Sequence, residues 1–203
     1  MSSFTRMPTL ANPLRYAVLF FCSALLTACA LSPQTIVVRP DIKAPSMPIG
    51  HGRSMVVNTR DLRSNTALGT RGGLYESSSL STDSHMEQSI TASAITVLQS
   101  WDFAAVPSSL GNYNMPSMEI QVIDIDYHRP ETSVGGEVTV KCRVAVRVQM
   151  GSETYTGEYA SRRGEQVAVM GTESGNQRMV NDTISQALNQ IFLDSKLQRF
   201  LSR

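Results

Sequence analysis

Asp124 and Asp126, two residues apart in the run MEIQVIDIDY, are the pair best suited to acid–base chemistry in this chain. On a strand, residues i and i+2 point to one face about 7 Å apart, a separation compatible with the paired carboxylates of glycoside hydrolysis. The competing and more economical reading is a solvated strand face opposite Ile123 and Ile125. Lys141, Arg143 and Arg147 form a second array on the polar side of an alternating segment. With the acids of a neighbouring strand they could bind an anionic envelope polymer or a partner's acidic surface. They could equally be a salt-bridged face with no role, since strand faces opposite a core are normally charged. Cys142 falls on the apolar side of the same segment and reads as a small core residue rather than a nucleophile. His51, His85 and His128 are far apart and no HExxH or CxxC is present, so no metal is expected. Ser84 and His85 are adjacent and cannot face each other as nucleophile and base. There is no GxSxG, GxGxxG or P-loop. The expectation is a protein without catalytic residues, cofactor or metal.

One further residue carries chemistry of a different kind. Arg6 and Arg15 precede an eleven-residue apolar run, Tyr16 to Leu26, which then meets Thr27, Ala28 and Cys29. About 20 residues are needed to span a bilayer, whereas a signal h-region is about this long. Leu26-Thr27-Ala28-Cys29 resembles the bacterial lipobox. The resemblance implies diacylglycerol on the Cys29 sulfur, cleavage between Ala28 and Cys29, and acylation of the new amine. Ala30, rather than Asp, follows the cysteine, which by the lipoprotein pattern favours the outer membrane, with the domain in the periplasm. Translation from Met1 or from Met7 gives the same product.

Composition agrees with an exported, packed domain. Of 203 residues, 41% are hydrophobic, which suits a packed core rather than a disordered chain. Removing residues 1–28 takes Arg6 and Arg15 and no acid, and moves the formal charge from +1 to −1. A near-neutral chain without a basic stripe is not a nucleic-acid binder. Cys22 leaves with the signal and Cys29 is the lipid site, so Cys142 has no partner for an internal disulfide.

The elements that must position these residues follow from periodicity. Residues 29–50 hold the lipidated cysteine and Pro33, Pro40, Pro45 and Pro48, and read as a stiff tether reaching up to roughly 60 Å. Thr35 to Arg39 within it is β-prone and either joins a sheet edge or stays free. Residues 51–203 read as one periplasmic domain. Met55 to Arg60 is a strand, residues 61–73 turns, and Leu74 to Leu80 a second strand. Ser84 and Glu87 make a capping box for a helix whose stripe runs Met86, Ile90, Ala94, Val97, Leu98, Trp101. Phe103 to Val106 approaches the next strand. Met118 to Tyr127 changes phase at Val122-Ile123, which a β-bulge would reconcile. Residues 137–150 alternate strictly, Gly151 to Glu153 turn the chain, and Thr154 to Ala160 return. A second helix carries Val180, Ile184, Ala187, Leu188 and Ile191; Asp194-Ser195 interrupts it before a short terminal piece. The fold expected is α+β: an antiparallel sheet with two amphipathic helices packed on one face.

The chain resembles the YajG-like lipoproteins of proteobacteria. The residues that carry this are SPQTIVVRPDIKAP (32–45), Asp61-Leu62-Arg63, Trp101-Asp102-Phe103, MEIQVIDIDY, the long alternating strand and VNDTISQALNQIFLD. The resemblance implies an outer-membrane-associated lipoprotein and supplies no activity, cofactor or catalytic residue. The leading functional expectation is therefore a non-enzymatic binding or adaptor module, attached to the membrane by its lipid, with an envelope protein or cell-wall partner. The alternatives are an envelope-polymer hydrolase or transferase using Asp124 and Asp126, and a homo-oligomeric structural lipoprotein pairing through a strand edge.

Overall fold

The computed structural model describes residues 32–72, 77–110, 115–130, 136–167 and 172–203. The signal segment, Ala28 and Cys29 lie outside the described residues. The strands are β1 (Gln34–Ile36), β2 (Ser54–Asp61), β3 (Ala67–Gly72), β4 (Ser77–Thr82), β5 (Ala104–Pro107), β6 (Ser117–His128), β7 (Gly136–Met150) and β8 (Glu153–Val167). The helices are α1 (Met86–Ser100), α2 (Glu173–Leu193) and α3 (Ser195–Leu201), with a 3-10 turn at Ser108–Leu110.

The sheet is mixed, which corrects the antiparallel expectation. β6, β7 and β8 run antiparallel to one another as a long meander. β2, however, pairs parallel with both β5 and β6, and β1 parallel with β4. Alternation of side chains reports which face is buried and is the same in both kinds of ladder. Strand direction depends on the connection: the chain leaves β2, passes through β3, β4 and α1, and returns alongside β2 in its original direction, as a helical crossover requires. There are also three helices among the described residues, not two. Asp194 ends α2 in an extended conformation, and its carboxylate then accepts the Lys196 N–H at 2.7 Å and starts α3.

Other boundaries differ for local reasons. β3 occupies part of the stretch read as turns. Gly69 allows it: with φ of 150° its Cα lies against β6, where a Cβ would come within 2.1 Å of the Tyr127 carbonyl oxygen. Of the strand proposed from Leu74 to Leu80, residues 74–76 lie outside the described residues and the remainder falls in β4. The capping box at Ser84 does not form. α1 begins after His85 without a side-chain cap, and Glu87 Oε1 accepts the Asp61 N–H at 2.6 Å. β8 continues past Ala160 to Val167, because the polar run SRRGEQ pairs with Glu137 to Cys142 of β7.

The alternating segment behaves as its sequence says. Val138, Val140, Cys142, Val144, Val146 and Val148 are all buried, while Lys141, Arg143 and Arg147 are exposed. The register between β6 and β7 shifts between Val122 and Asp124, placing the bulge at Ile123. Both long helices cover the buried face. Trp101 at the end of α1 meets Phe192 of α2 edge to face, centroids 5.7 Å apart.

The proline-bearing segment is not a free spacer over residues 34–50. It lies between α1 and α2 as part of the helix layer. Its even residues Ile36 and Val38 are fully buried, and Ile42, Ala44, Met47 and Ile49 pack on the core. The roughly 60 Å reach of a free 20-residue spacer therefore does not apply to it.

Candidate functional site

The open face of the sheet gathers all five residues proposed as a binding surface. Asp124 stands opposite Arg143, Asp126 opposite Lys141, and Glu119 opposite Arg147 across the β6–β7 ladder. β8 places Arg162 beside Lys141 and Glu158 beside Ala145. The face is thus an acidic stripe on β6 and a basic stripe on β7, with mixed charge on β8. Arg143 Nη1 reaches Glu158 Oε1 at 3.5 Å, an exposed pair that contributes little stability. The strands hold these groups at fixed spacing, so the array is rigid although the side-chain ends are wet.

Asp124 is exposed and Asp126 half-buried, each across from a cation. Cys142 is 1% exposed, and burial pushes its thiol up to about 12, so it is a core residue. The three histidines do not meet. His51 sits in an exposed turn with φ of 51°, His85 precedes α1 with Nδ1 2.9 Å from Gln88 Oε1, and His128 ends β6. Among the described residues no group of His, Cys, Asp and Glu could hold a metal ion.

Three constellations went unread in the sequence. The first joins the segment after β1 to α2. The N–H groups of Val37, Arg39, Asp41 and Lys43 donate to Gln177 Oε1 at 3.0 Å, Asn181 Oδ1 at 2.6 Å, Ser185 Oγ at 2.9 Å and Asn189 Oδ1 at 2.6 Å. Four helical residues advance about 6 Å and two extended residues about 6.5 Å, so every second amide of this strap, residues 37–43, meets every fourth helix residue over four rungs. Pro40, which has no N–H, falls between rungs, and its carbonyl accepts Ser93 Oγ at 3.2 Å. Trp101 Nε1 donates to the Pro45 carbonyl at 2.7 Å. The signal was present in the sequence as Gln177, Asn181, Ser185 and Asn189 at i+4 spacing on one helix face.

The second is a buried ion pair. Arg63 has 4% side-chain exposure and clasps Asp61 through Nε at 2.8 Å and Nη2 at 2.7 Å; Nη2 also donates to Thr82 Oγ1. Burial works to raise the Asp61 pKa, but the hydrogen bonds and charge of Arg63 outweigh it and hold it below the usual carboxylate range. Nη1 is buried without a hydrogen-bond partner. The third is Asp194, whose Oδ2 accepts from Tyr155 at 2.8 Å and Tyr159 at 2.7 Å, binding the α2–α3 junction to β8.

Concave surface lies elsewhere. A groove of about 450 Å³ runs between α1 and the β2–β5 edge, floored by Val57, Ala92, Ile95 and Pro107 and rimmed by Asn58 and Glu87.

Comparisons with known proteins place these observations. A family model described as an uncharacterized lipoprotein matches residues 40–202. Comparison with curated proteins finds no match. Among solved structures, a Xanthomonas campestris protein of the DUF330 family model is 14% identical, covering 85% of this chain and 93% of its own, with a TM-score of 0.43. The lipoprotein GNA1162 from Neisseria meningitidis is 12% identical, covering 68% of this chain and 97% of its own, with a TM-score of 0.40. Likenesses this distant carry nothing about chemistry.

Proposed function

Starting from the fact that the chain belongs to the family of uncharacterized lipoproteins over residues 40–202, we propose that it is a lipid-anchored periplasmic module that binds an envelope partner and catalyses no reaction. Cys29 is the lipid site and the outer membrane the location, as the lipobox and Ala30 suggest. The YajG-like resemblance is a finer placement within that picture, supported by the motifs at residues 32–45 and 118–127.

The observation that carries the binding reading is the one-sided sheet. α1 and α2 cover one face, and the other presents Asp124, Asp126, Lys141, Arg143 and Arg147 in register. Acidic and basic stripes alternate across it, so the face does not present the single sign of charge that attracts a polyanion. A protein surface of mixed charge is the better complement.

Photo-crosslinking in intact cells tests this. A photoreactive residue at Gln121, on the open face, is expected to capture one discrete neighbour, and one at Lys43, on the helix side, is not. The neighbour should be lost in R143E/R147E and captured more weakly in D124N/D126N. Equal capture from both positions, or capture untouched by R143E/R147E, would overturn the assignment of the face. Loss of an envelope phenotype in D124N/D126N with capture intact would favour the hydrolase reading instead.

A further inference from the structure

We propose that this domain sits directly on the membrane surface in a fixed orientation, with the end formed by Ser32, Gln34, Arg71 and Glu173 facing the lipid headgroups. The proposal rests on the reading of Cys29 as the lipid site.

From Gln34 onward the chain is held: β1 pairs with β4, and four rungs join the following residues to α2. Gln34 itself is buried, donating through Nε2 to the Glu173 carbonyl at 2.8 Å and accepting from Asn176 Nδ2 at 3.0 Å. The hold extends to Ser32, whose carbonyl accepts Arg71 Nη2 at 2.7 Å and Nε at 3.2 Å. Arg71 is fixed in turn by Glu173 at 2.9 Å. Chain length does the rest. Three peptide links join Cys29 to Ser32, and an extended chain covers at most about 3.6 Å per residue. The acylated cysteine therefore lies within about 11 Å of Ser32. Prolines that suggested reach are spent inside the fold, and the anchor is short.

The same contacts define which end faces down. Asn176, bonded to Gln34, also accepts Tyr127 Oη at 2.9 Å, and Tyr127 pairs with Val140 near the start of β7. From Val140, β7 runs ten residues further to Met150. At about 3.3 Å per residue, the Gly151–Ser152 turn lies roughly 35 Å from the anchored end. Arg71 is neutralised by Glu173, so the hold on the membrane is the lipid and the short chain rather than charge. This orientation stands the open sheet face upright, sideways to the bilayer.

The test uses full-length protein purified from membranes and placed in vesicles of phosphatidylethanolamine and phosphatidylglycerol with a nitroxide-headgroup lipid. A fluorophore is attached in S174C, at the exposed start of α2, or in S152C, in the exposed far turn. Cys142 is buried and takes no label. Strong quenching at 174 and little at 152 is expected, unchanged by high salt. A flexible Gly-Ser insertion of about 20 residues after Leu31, which leaves the strap intact, should erase the difference. Mass spectrometry of the Cys29 peptide separates the outcomes. Acylated protein with equal quenching, or stronger quenching at 152, overturns the orientation alone. A difference abolished by salt replaces the tether with an electrostatic patch and overturns it too. An unacylated Cys29 overturns the lipid-anchor reading and this proposal with it.

Discussion

The Arg63–Asp61 pair is the residue-scale feature with the largest expected energetic asymmetry. A buried ion pair gains little net, but removing one partner leaves the other charge desolvated and uncompensated. Asp61→Ala should therefore cost about 3–5 kcal/mol, read by urea denaturation. Arg63→Met removes the more deeply buried charge with its orphaned Nη1 and leaves Asp61, whose side chain is 20% exposed and can be solvated, so it should cost less. Equal losses in the two variants would show that packing, not charge, dominates the site. Asp194 makes a pH-dependent contribution. Burial raises its pKa, but the hydrogen bonds from Tyr159, the Lys196 N–H and Tyr155 outweigh it and leave the group below its ordinary 3.8. A depressed carboxylate pKa stabilises the fold above the unfolded value and loses that contribution as pH falls through the folded one. Asp194→Ala should thus cost roughly 1–2 kcal/mol at neutral pH as a lost helix cap. The gap to wild type should narrow below pH 3.8. A gap constant from pH 7 to pH 2.5 would contradict this.

At the scale of elements, the strap and α2 act as one unit. Each rung is a backbone hydrogen bond to an uncharged side chain, worth about 1 kcal/mol. The ladder continues the hold on the chain beyond β1, satisfying the amides of Val37, Arg39, Asp41 and Lys43 where no strand pairs with them. Replacing Asn181 and Asn189 together by Ala should accelerate hydrogen exchange at Arg39 and Lys43 selectively, leaving the amides of β7 protected. Uniform acceleration across the sheet would mean the strap is integral to global stability rather than a locally stitched layer. Gly69 shows the opposite dependence, since its function is to carry no side chain. It lets β3 reach Tyr127 and join the smaller β1–β4–β3 group to the main sheet.

At the scale of the whole molecule, the free edge of β8 decides the oligomer question. Its outward residues Thr154, Thr156, Glu158, Ala160, Arg162, Gly164 and Gln166 are exposed. Glu158 and Arg162 charge that edge, and Gln190 Nε2 occupies the Ala160 carbonyl at 3.1 Å. Charges and occupied carbonyls are how natural edges avoid pairing. The soluble 31–203 fragment should therefore stay monomeric in light scattering at millimolar concentration. A stable dimer there would revive the strand-pairing alternative.

Much of this was written locally. Strict alternation in Val138 to Met150 determined the buried and wet faces of β7, and the phase change at Val122-Ile123 determined the bulge, because side-chain period is a property of the backbone. The placement of Asp124 and Asp126 on the open face was equally local. Strand direction and the docking of residues 34–50 were not, since each depends on where a distant partner lies. Period two is blind to parallel pairing. Proline content marks an extended chain without saying whether it lies free or along a helix. Only packing brought Gln177, Asn181, Ser185 and Asn189 beside Val37 to Lys43, more than a hundred residues away, and turned a presumed spacer into part of the domain.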